Sequence, residues 1–539
     1  MMKKLLFICI LSLSFCMHAE ETSDEYPVLH GIIISSHPTT DFPGKRCLGV
    51  CIKDIKLPGK EESLANTLKQ YLNEEITEKL VGDIKDDILN FYRRNKHPLV
   101  VVRVPDQDIT KGIVNFVVIE TRVGKVKIKD NKWKKEKEIR KEIRLEPGEP
   151  ISSDILNQDL YWLNRNPFRE AYVIYTPGER MGTTDVEMHI KDRLPVRAYA
   201  GIDNIGTEIT GYNRIFAGII FDLWLDHLVS YQYTTGSTLH KFQSHALQYS
   251  IPFSWRHQLV LIGGYSYYDV DFTVDNNPEV FHQKGMSLQL SARYDIPFVF
   301  ANTLGELSLG FDFKRTNNNL EFSELPVFGS YANLTQLMMG YTHGGSSNWY
   351  EWNGQIEGYW SPGRWVSDQS NENYNTIRAF AKNYYAYLRS ASHINFYFPK
   401  DFEIDNYLRW QIATQNLLPS EMYGLGGYDT VRGYKERIYN GDHAVIYNFE
   451  VKSPAMSLFG KKDKGKFRLL AFFDMGSAWK NHKAPGEKGS EALFSVGPGF
   501  RYSWLPYLTA RVDWGFQLRT GAIYGKSHQR GHFSVIVGF

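Results

Sequence analysis

From about residue 196 to the end of the chain, apolar and polar residues alternate one for one. Met286, Leu288, Leu290, Ala292 and Tyr294 interleave with Ser287, Gln289, Ser291, Arg293 and Asp295. Leu307, Leu309, Phe311 and Phe313 interleave with Ser308, Gly310, Asp312 and Lys314, and Leu508 to Leu518 repeats the pattern around Arg511 and Asp513. A period of two sends successive side chains to opposite faces of a strand. Long strands with charges on one face predict a transmembrane antiparallel β-barrel, wet inside and facing lipid outside. A soluble sandwich also alternates, but here the pattern continues without a domain break. At roughly twenty residues per strand and connection, residues 196–539 make about sixteen to eighteen strands, and about 16 is the expected number. The last strand ends Phe533-Ser534-Val535-Ile536-Val537-Gly538-Phe539, with the odd-numbered residues on one face and an aromatic terminus.

The period changes ahead of the barrel. In residues 47–121, Ile52 to Leu57 suits a strand that Pro58-Gly59 ends. Two helical stretches follow, and Ile84, Ile88 and Phe91 recur on one helical face. Leu99 to Val104 and Ile113 to Ile119 are β-branched and predict strands. Residues 122–195 repeat this β-α-α-β-β order. Val123 to Ile128 predicts a strand, Lys134 to Arg144 a helix with Ile139 and Ile143 inward, and Ser152 or Ser153 caps a helix to Asn164. Ala171 to Tyr175 and Thr184 to Ile190 are the last two strands. Two consecutive units of one element order are an internal repeat. The fold class is therefore multidomain, two α+β units followed by a barrel.

Residues 1–19 have the pattern of a signal peptide: Lys3 and Lys4, an apolar run from Leu5 to Phe15, and a small residue, Ala19. Residues 20–46 are polar with three prolines and predict a linker, at most with a short strand at 31–35. Beyond the leader, no apolar run of about 18 residues exists to make a membrane helix. Aromatics are 14% of the chain, high enough to supply the interfacial girdles of a barrel. A formal net charge of +2 gives no electrostatic case for nucleic acid.

Cys47 and Cys51 remain once the leader is removed. In an exported chain they predict a local disulfide in preference to free thiols, and two thiolates do not complete a zinc site. No phosphate-binding Gly-rich loop, His-Glu-x-x-His helix or Gly-x-Ser-x-Gly elbow appears. No cofactor or metal is expected. The run Arg122 to Arg144 holds eleven basic residues against four acids. It reads better as a solvated face than as an anion-binding patch.

Candidate chemistry lies at two places in the barrel. Gly424-Leu425-Gly426-Gly427-Tyr428-Asp429-Thr430-Val431-Arg432-Gly433-Tyr434 is a glycine-rich loop with one arginine in its closing motif. Phe467, Leu469, Ala471 and Phe473 share one face of a strand, so Asp474 points the other way. Val445, Tyr447, Phe449 and Val451 likewise leave Asn448 and Glu450 opposite. If the apolar faces meet lipid, Asp474 and Glu450 face the lumen. An inward-folded loop then brings Arg432 to them for a bidentate pair. Such a pair has a conformational role.

Val431-Arg432-Gly433-Tyr434 together with Phe473-Asp474-Met475-Gly476 resembles the paired signature of the BamA-like outer-membrane superfamily. The two units ahead of the barrel resemble POTRA domains. Having two of them resembles the TpsB transporters of two-partner secretion. So do Asn164-Arg165-Asn166-Pro167-Phe168-Arg169 in the second unit and Gly201-Ile202-Asp203-Asn204-Ile205-Gly206-Thr207 opening the barrel. The resemblance covers about 47–539 and implies a mechanism. POTRA units in the periplasm bind an unfolded TpsA-like partner by β-augmentation, and the partner threads through the barrel to the cell surface. It further implies an outer-membrane monomer among lipid, with Phe539 as the signal read by the barrel-assembly machinery. Many members carry a plug helix, but residues 20–45 make a poor one. The expected function is thus protein export, with a barrel-assembly insertase as the alternative. An outer-membrane enzyme is a third class, for which no catalytic constellation is visible.

Overall fold

A computed structural model describes residues 26–38, 47–207, 211–239, 241–273, 280–300, 303–316, 332–457, 464–519 and 527–539. The expected leader over 1–19, and most of the linker over 20–46, lie outside the described residues. The described chain divides into two units. One holds residues up to 130 together with 136–161 and 171–190, and the other holds 131–135, 162–170 and 191–539.

The first unit contains two small sheets. In the first, the strand Gly31–Ser35 lies between Gly49–Lys53 and Ile113–Glu120, parallel to both, and Val100–Arg103 closes the far edge. Helices Glu61–Leu68 and Glu78–Arg94 cover one face. The second helix starts where Thr77 Oγ1 accepts the Leu80 N–H at 3.2 Å, and it buries Ile84, Ile88 and Phe91 as its spacing predicts. Gly31–Ser35 corrects the reading of 20–46 as linker. Ile32, Ile33 and Ile34 are fully buried, and burying each such side chain contributes about 1.5–3 kcal/mol. The folded unit therefore begins ahead of Cys47. A parallel strand covered on both faces is a continuous apolar run, so it shows no alternation to read. Cys47 and Cys51 are joined in a disulfide beside it.

The second sheet orders Arg122–Lys129, Thr183–Asp192 and Arg169–Pro177. Helices Glu136–Lys141 and Ser153–Asn164 lie between its strands in sequence. Ile139, Ile143, Leu156, Val186, Met188 and Ile190 are buried. The basic run is paired with acids: Lys127 with Asp185, Lys129 with Glu187 and Arg144 with Asp159.

The second unit is a closed antiparallel barrel of 16 strands. Its seam pairs the last strand, Gln529–Gly538, with the first, Val196–Asp203. The Phe539 N–H donates to the Ala198 carbonyl at 2.9 Å, and the Phe539 side chain is exposed. Alternation sets the two faces. On the strand Lys466–Trp479, Leu469 and Met475 are exposed on the outside, whereas Leu470, Phe472 and Asp474 are buried facing inward. Connections at the end where the chain enters the barrel are mostly short, such as 223–227 and 399–401. The opposite end carries the longer loops 363–383 and 414–442.

Candidate functional site: an arginine pinned in the lumen

Loop 414–442 folds into the barrel. Its base is a two-stranded ribbon of Tyr423–Leu425 and Tyr439–Gly441, and Leu425, Val431 and Tyr434 form a buried cluster with Ile446, Ala478 and Leu493 of the wall. Two close approaches between loop and wall fall at glycines, one on each side. Gly433 has φ +91°, and a Cβ there would sit 2.8 Å from the carbonyl of wall residue Gly515. At Gly476 a Cβ would sit 2.5 Å from the Leu425 side chain. At Gly433 and Gly515 loop backbone and wall backbone therefore meet directly, and at Gly476 loop side chains pack onto the wall backbone.

That contact places Arg432, 2% exposed, against the inner wall. Its Nε donates to Asp474 Oδ2 and its Nη2 to Asp474 Oδ1, each at 2.7 Å. Nη1 donates to Glu450 Oε1 at 2.6 Å. The Arg432 backbone N–H adds a third bond to Asp474, at 3.0 Å, and Asn448 Nδ2 a fourth, at 2.8 Å. Flanking residues are held too. The Gly433 N–H donates to His532 Nε2 at 3.0 Å, and the Tyr434 hydroxyl donates to the carbonyls of Phe494 and Arg519.

Several members of this cluster are not in the motifs read from sequence. The ring of Phe472 lies 3.6 Å beneath the guanidinium. Phe473, the first residue of the wall motif, lies on the opposite face of the strand, while Asp474 and Phe472 share the lumen side. Asp513 lies 3.4 Å from Arg432 Nη1 and binds Arg501 at 2.6 Å and Arg511 at 2.7 Å. Arg511 also stacks on loop residue Tyr428, 3.8 Å from its ring. Three guanidinium groups, of Arg432, Arg501 and Arg511, therefore face three carboxylates, of Asp474, Glu450 and Asp513. Arg511 and Asp513 were legible as lumen-facing from alternation, but nothing local ties them to Arg432.

Three family models match the chain in series. The POTRA domain model of ShlB type matches residues 51–121, and a second POTRA model, surface antigen variable number repeat, matches 121–193. The model of the haemolysin secretion/activation proteins ShlB/FhaC/HecB matches 182–502, more than half of the chain. The chain belongs to the haemolysin secretion/activation family. It is 23% identical over 466 residues to the heme/hemopexin transporter protein HuxB of Haemophilus influenzae, covering 82% of this chain and 78% of that protein. To the outer membrane transporter CdiB of Dickeya dadantii it is 23% identical over 431 residues, covering 77% of this chain and 72% of that protein. The solved CdiB structure from Escherichia coli superposes with a TM-score of 0.77 at 16% identity, covering 97% of this chain and 92% of that one, and so shares the fold. This member of the family is an outer-membrane transporter of two-partner secretion, with its POTRA domains in the periplasm. The insertase alternative is not favoured, since the matched relatives are transporters. The family is one of secretion channels and not of known enzymes.

The Asn166 motif of this transporter lies in the segment 162–170, which belongs with the barrel unit. Asn166 Oδ1 accepts the Phe168 N–H at 2.9 Å, and Asn166 Nδ2 donates to Asp222 at 2.6 Å and to Asp226 at 3.2 Å. Arg169 Nη1 binds Asp226 at 3.1 Å, and Lys134 pairs with the same carboxylate. Phe168 is buried, and Pro167 fixes the turn between Asn166 and it. Arg165 reaches Glu306 on a barrel strand at 2.8 Å. The motif thus grips the first short barrel turn, a role that its spacing did not disclose.

Proposed function

We propose that this transporter binds one unfolded exported partner through its POTRA domains and passes it through the barrel, with loop 414–442 as the pinned element that must yield. The observation that carries the reading is Arg432, buried inside the lumen and bound to Asp474 and Glu450 by charge-assisted hydrogen bonds of 2.6–2.7 Å. Removing one partner of such a buried pair costs about 3–5 kcal/mol, because the other charge is left buried without compensation. The cargo must interact better with the open state, because only differential affinity shifts an equilibrium between two states.

In this reading the POTRA sheets offer strand edges at Gly49–Lys53, Val100–Arg103, Arg122–Lys129 and Arg169–Pro177. An unfolded chain adds there through main-chain hydrogen bonds that demand no fixed sequence. The protein acts as a monomer among outer-membrane lipids, no nucleic acid takes part, and Phe539 is its signal to the barrel-assembly machinery. No catalytic step is involved.

The test is export of the cognate partner by intact cells. Arg432→Ala should reduce export while the barrel still inserts. Arg432→Lys should rescue only in part, since an ammonium lacks the planar fork that spans both oxygens of Asp474. Removing 47–195 should abolish export. Unchanged export after that deletion would overturn the partner-capture reading, and unchanged export by Arg432→Ala would overturn the pin.

A further inference from the structure

On the outside of the barrel, five neighbouring strands between Thr303 and Ala413 enclose a groove of about 710 Å³, lined almost wholly by apolar atoms. Volumes of roughly 300–1,000 Å³ are typical of small-molecule sites. The groove arises from side-chain size. Gly358 and Ala386 form its floor, and Met339, Trp360, Leu388 and Ile412 stand around them. The register brings these together: Gly358 pairs with Met339 and with Leu388, Trp360 with Ala386, and Leu388 with Ile412. All four walls are outward and exposed, Met339 by 59% and Trp360 by 52%. In this transporter the outward face is the lipid face.

The depth of the groove follows from strand direction. Trp360 is two residues from the end of Tyr350–Pro362, Ala386 two from the start of Tyr384–Phe398, and Ile412 one from the end of Phe402–Ala413. Those strand ends carry the longer loops and lie opposite the periplasmic entry, so the groove opens in the outer leaflet. Above it, Tyr384 shares the outward face with Ala386 and is 47% exposed. Lys382 Nζ lies 5.4 Å from the Tyr384 ring, and among the described residues no carboxylate pairs with that ammonium. An aromatic and an unpaired cation at the interface, with an apolar channel below, match an anionic headgroup above a hydrocarbon chain.

We propose that this groove is a binding site for a phosphorylated outer-leaflet lipid, one acyl chain lying on Gly358 and Ala386 and a headgroup phosphate against Lys382. A flat stretch of barrel touches a neighbouring chain on one side. A floored groove touches it on three, so the gain in dispersion contacts selects one chain from the annulus. The inference rests on membrane placement and not on the capture of a partner, so export is not its readout.

The test uses the intact protein in detergent, with lipid A as probe and affinity measured by titration. Retained heat-modifiable gel mobility reports a folded barrel. Ala386→Trp fills the floor, Lys382→Glu reverses the cation, and Leu247→Trp enlarges an outward residue on the distant strand Phe242–Pro252. Expected are wild-type binding for Leu247→Trp, at least a tenfold loss for Ala386→Trp, and a comparable loss for Lys382→Glu that disappears with dephosphorylated lipid A. Wild-type affinity in a folded Ala386→Trp, or in Lys382→Glu, overturns the site. Because Lys382 lies outside the strands, its variant keeps the test open if the tryptophan prevents folding.

Discussion

Arg378 and Asp442 form a two-pronged ion pair between different loops, Nη1 to Oδ1 at 2.5 Å and Nη2 to Oδ2 at 2.8 Å. Asp442 is fully buried. It also accepts the backbone N–H of Leu417 at 2.8 Å and of Asn481 at 2.9 Å. One carboxylate thus ties loops 363–383, 414–442 and 480–489 at the outer end of the barrel. Asp442→Ala leaves a nearly buried guanidinium unpaired, a loss of about 3–5 kcal/mol. We expect the three loops to become sensitive to protease added to intact cells, with the strands still protected. Asp442→Asn, which keeps an acceptor oxygen, should be intermediate. A cleavage pattern identical to wild type in the alanine variant would show that the loops are held elsewhere.

The contact between Gly433 and Gly515 makes a second prediction, separate from charge. In Gly433→Ala the new Cβ would meet the Gly515 carbonyl at 2.8 Å, on a backbone already at φ +91°, so strain and overlap act together. The loop should lift from the wall although Arg432 and Asp474 are intact. Cysteines substituted at Thr430 and Asn448, whose groups now hydrogen-bond at 2.5 Å, should cross-link in the parent and markedly less in Gly433→Ala. Equal cross-linking would mean that the wall gives way instead.

A third prediction concerns Asp226, which receives Asn166, Arg169 and Lys134 at one barrel turn. Asp226→Ala removes the shared acceptor of all three. Backbone amides of 162–170 should exchange with deuterium faster in the full-length protein, while those of Gln529–Gly538 stay unchanged. Unaltered exchange across 162–170 would assign the hold on this segment to the Asn166–Asp222 and Arg165–Glu306 contacts.

How much of this was legible in the sequence depends on the range of each interaction. Alternation is local, so the barrel, its strand count and the inward facing of Asp474 and Glu450 could be read directly. So could the helix carrying Ile84, Ile88 and Phe91. The strand Gly31–Ser35 was only half legible, because a strand covered on both faces loses the alternation that marks its neighbours. Alternation also puts Phe472 on the face of Asp474, but nothing local marks its ring as the one beneath Arg432. The joining of Asp513, Arg501 and Arg511 to Arg432, and of Arg378 to Asp442, was not legible at all. Those pairs lie far apart in sequence, and only barrel closure and loop folding bring them together.

The second POTRA sheet carries the pH dependence that can be worked out with its sign. Asp185 is held below the usual carboxylate range, first by its hydrogen bond from Lys127 and then by the Lys125 backbone N–H. Glu187 is lowered chiefly by Lys129. A carboxylate depressed on folding binds fewer protons than its unfolded counterpart, so stability rises with pH across that interval. The stabilisation is fully present above the unfolded value of about 4 and is lost as pH falls through the lower folded values. Lys127→Met removes the first cause acting on Asp185 and should flatten the profile below about pH 4, while lowering stability at neutral pH. The measurement is the rate of pepsin cleavage within 122–192 of the full-length protein between pH 5 and 2, normalised to an unfolded peptide. Wild type should grow more susceptible as the pH drops. The methionine variant should start more susceptible and change less, and parallel profiles for the two proteins would remove Asp185 as the source of the slope.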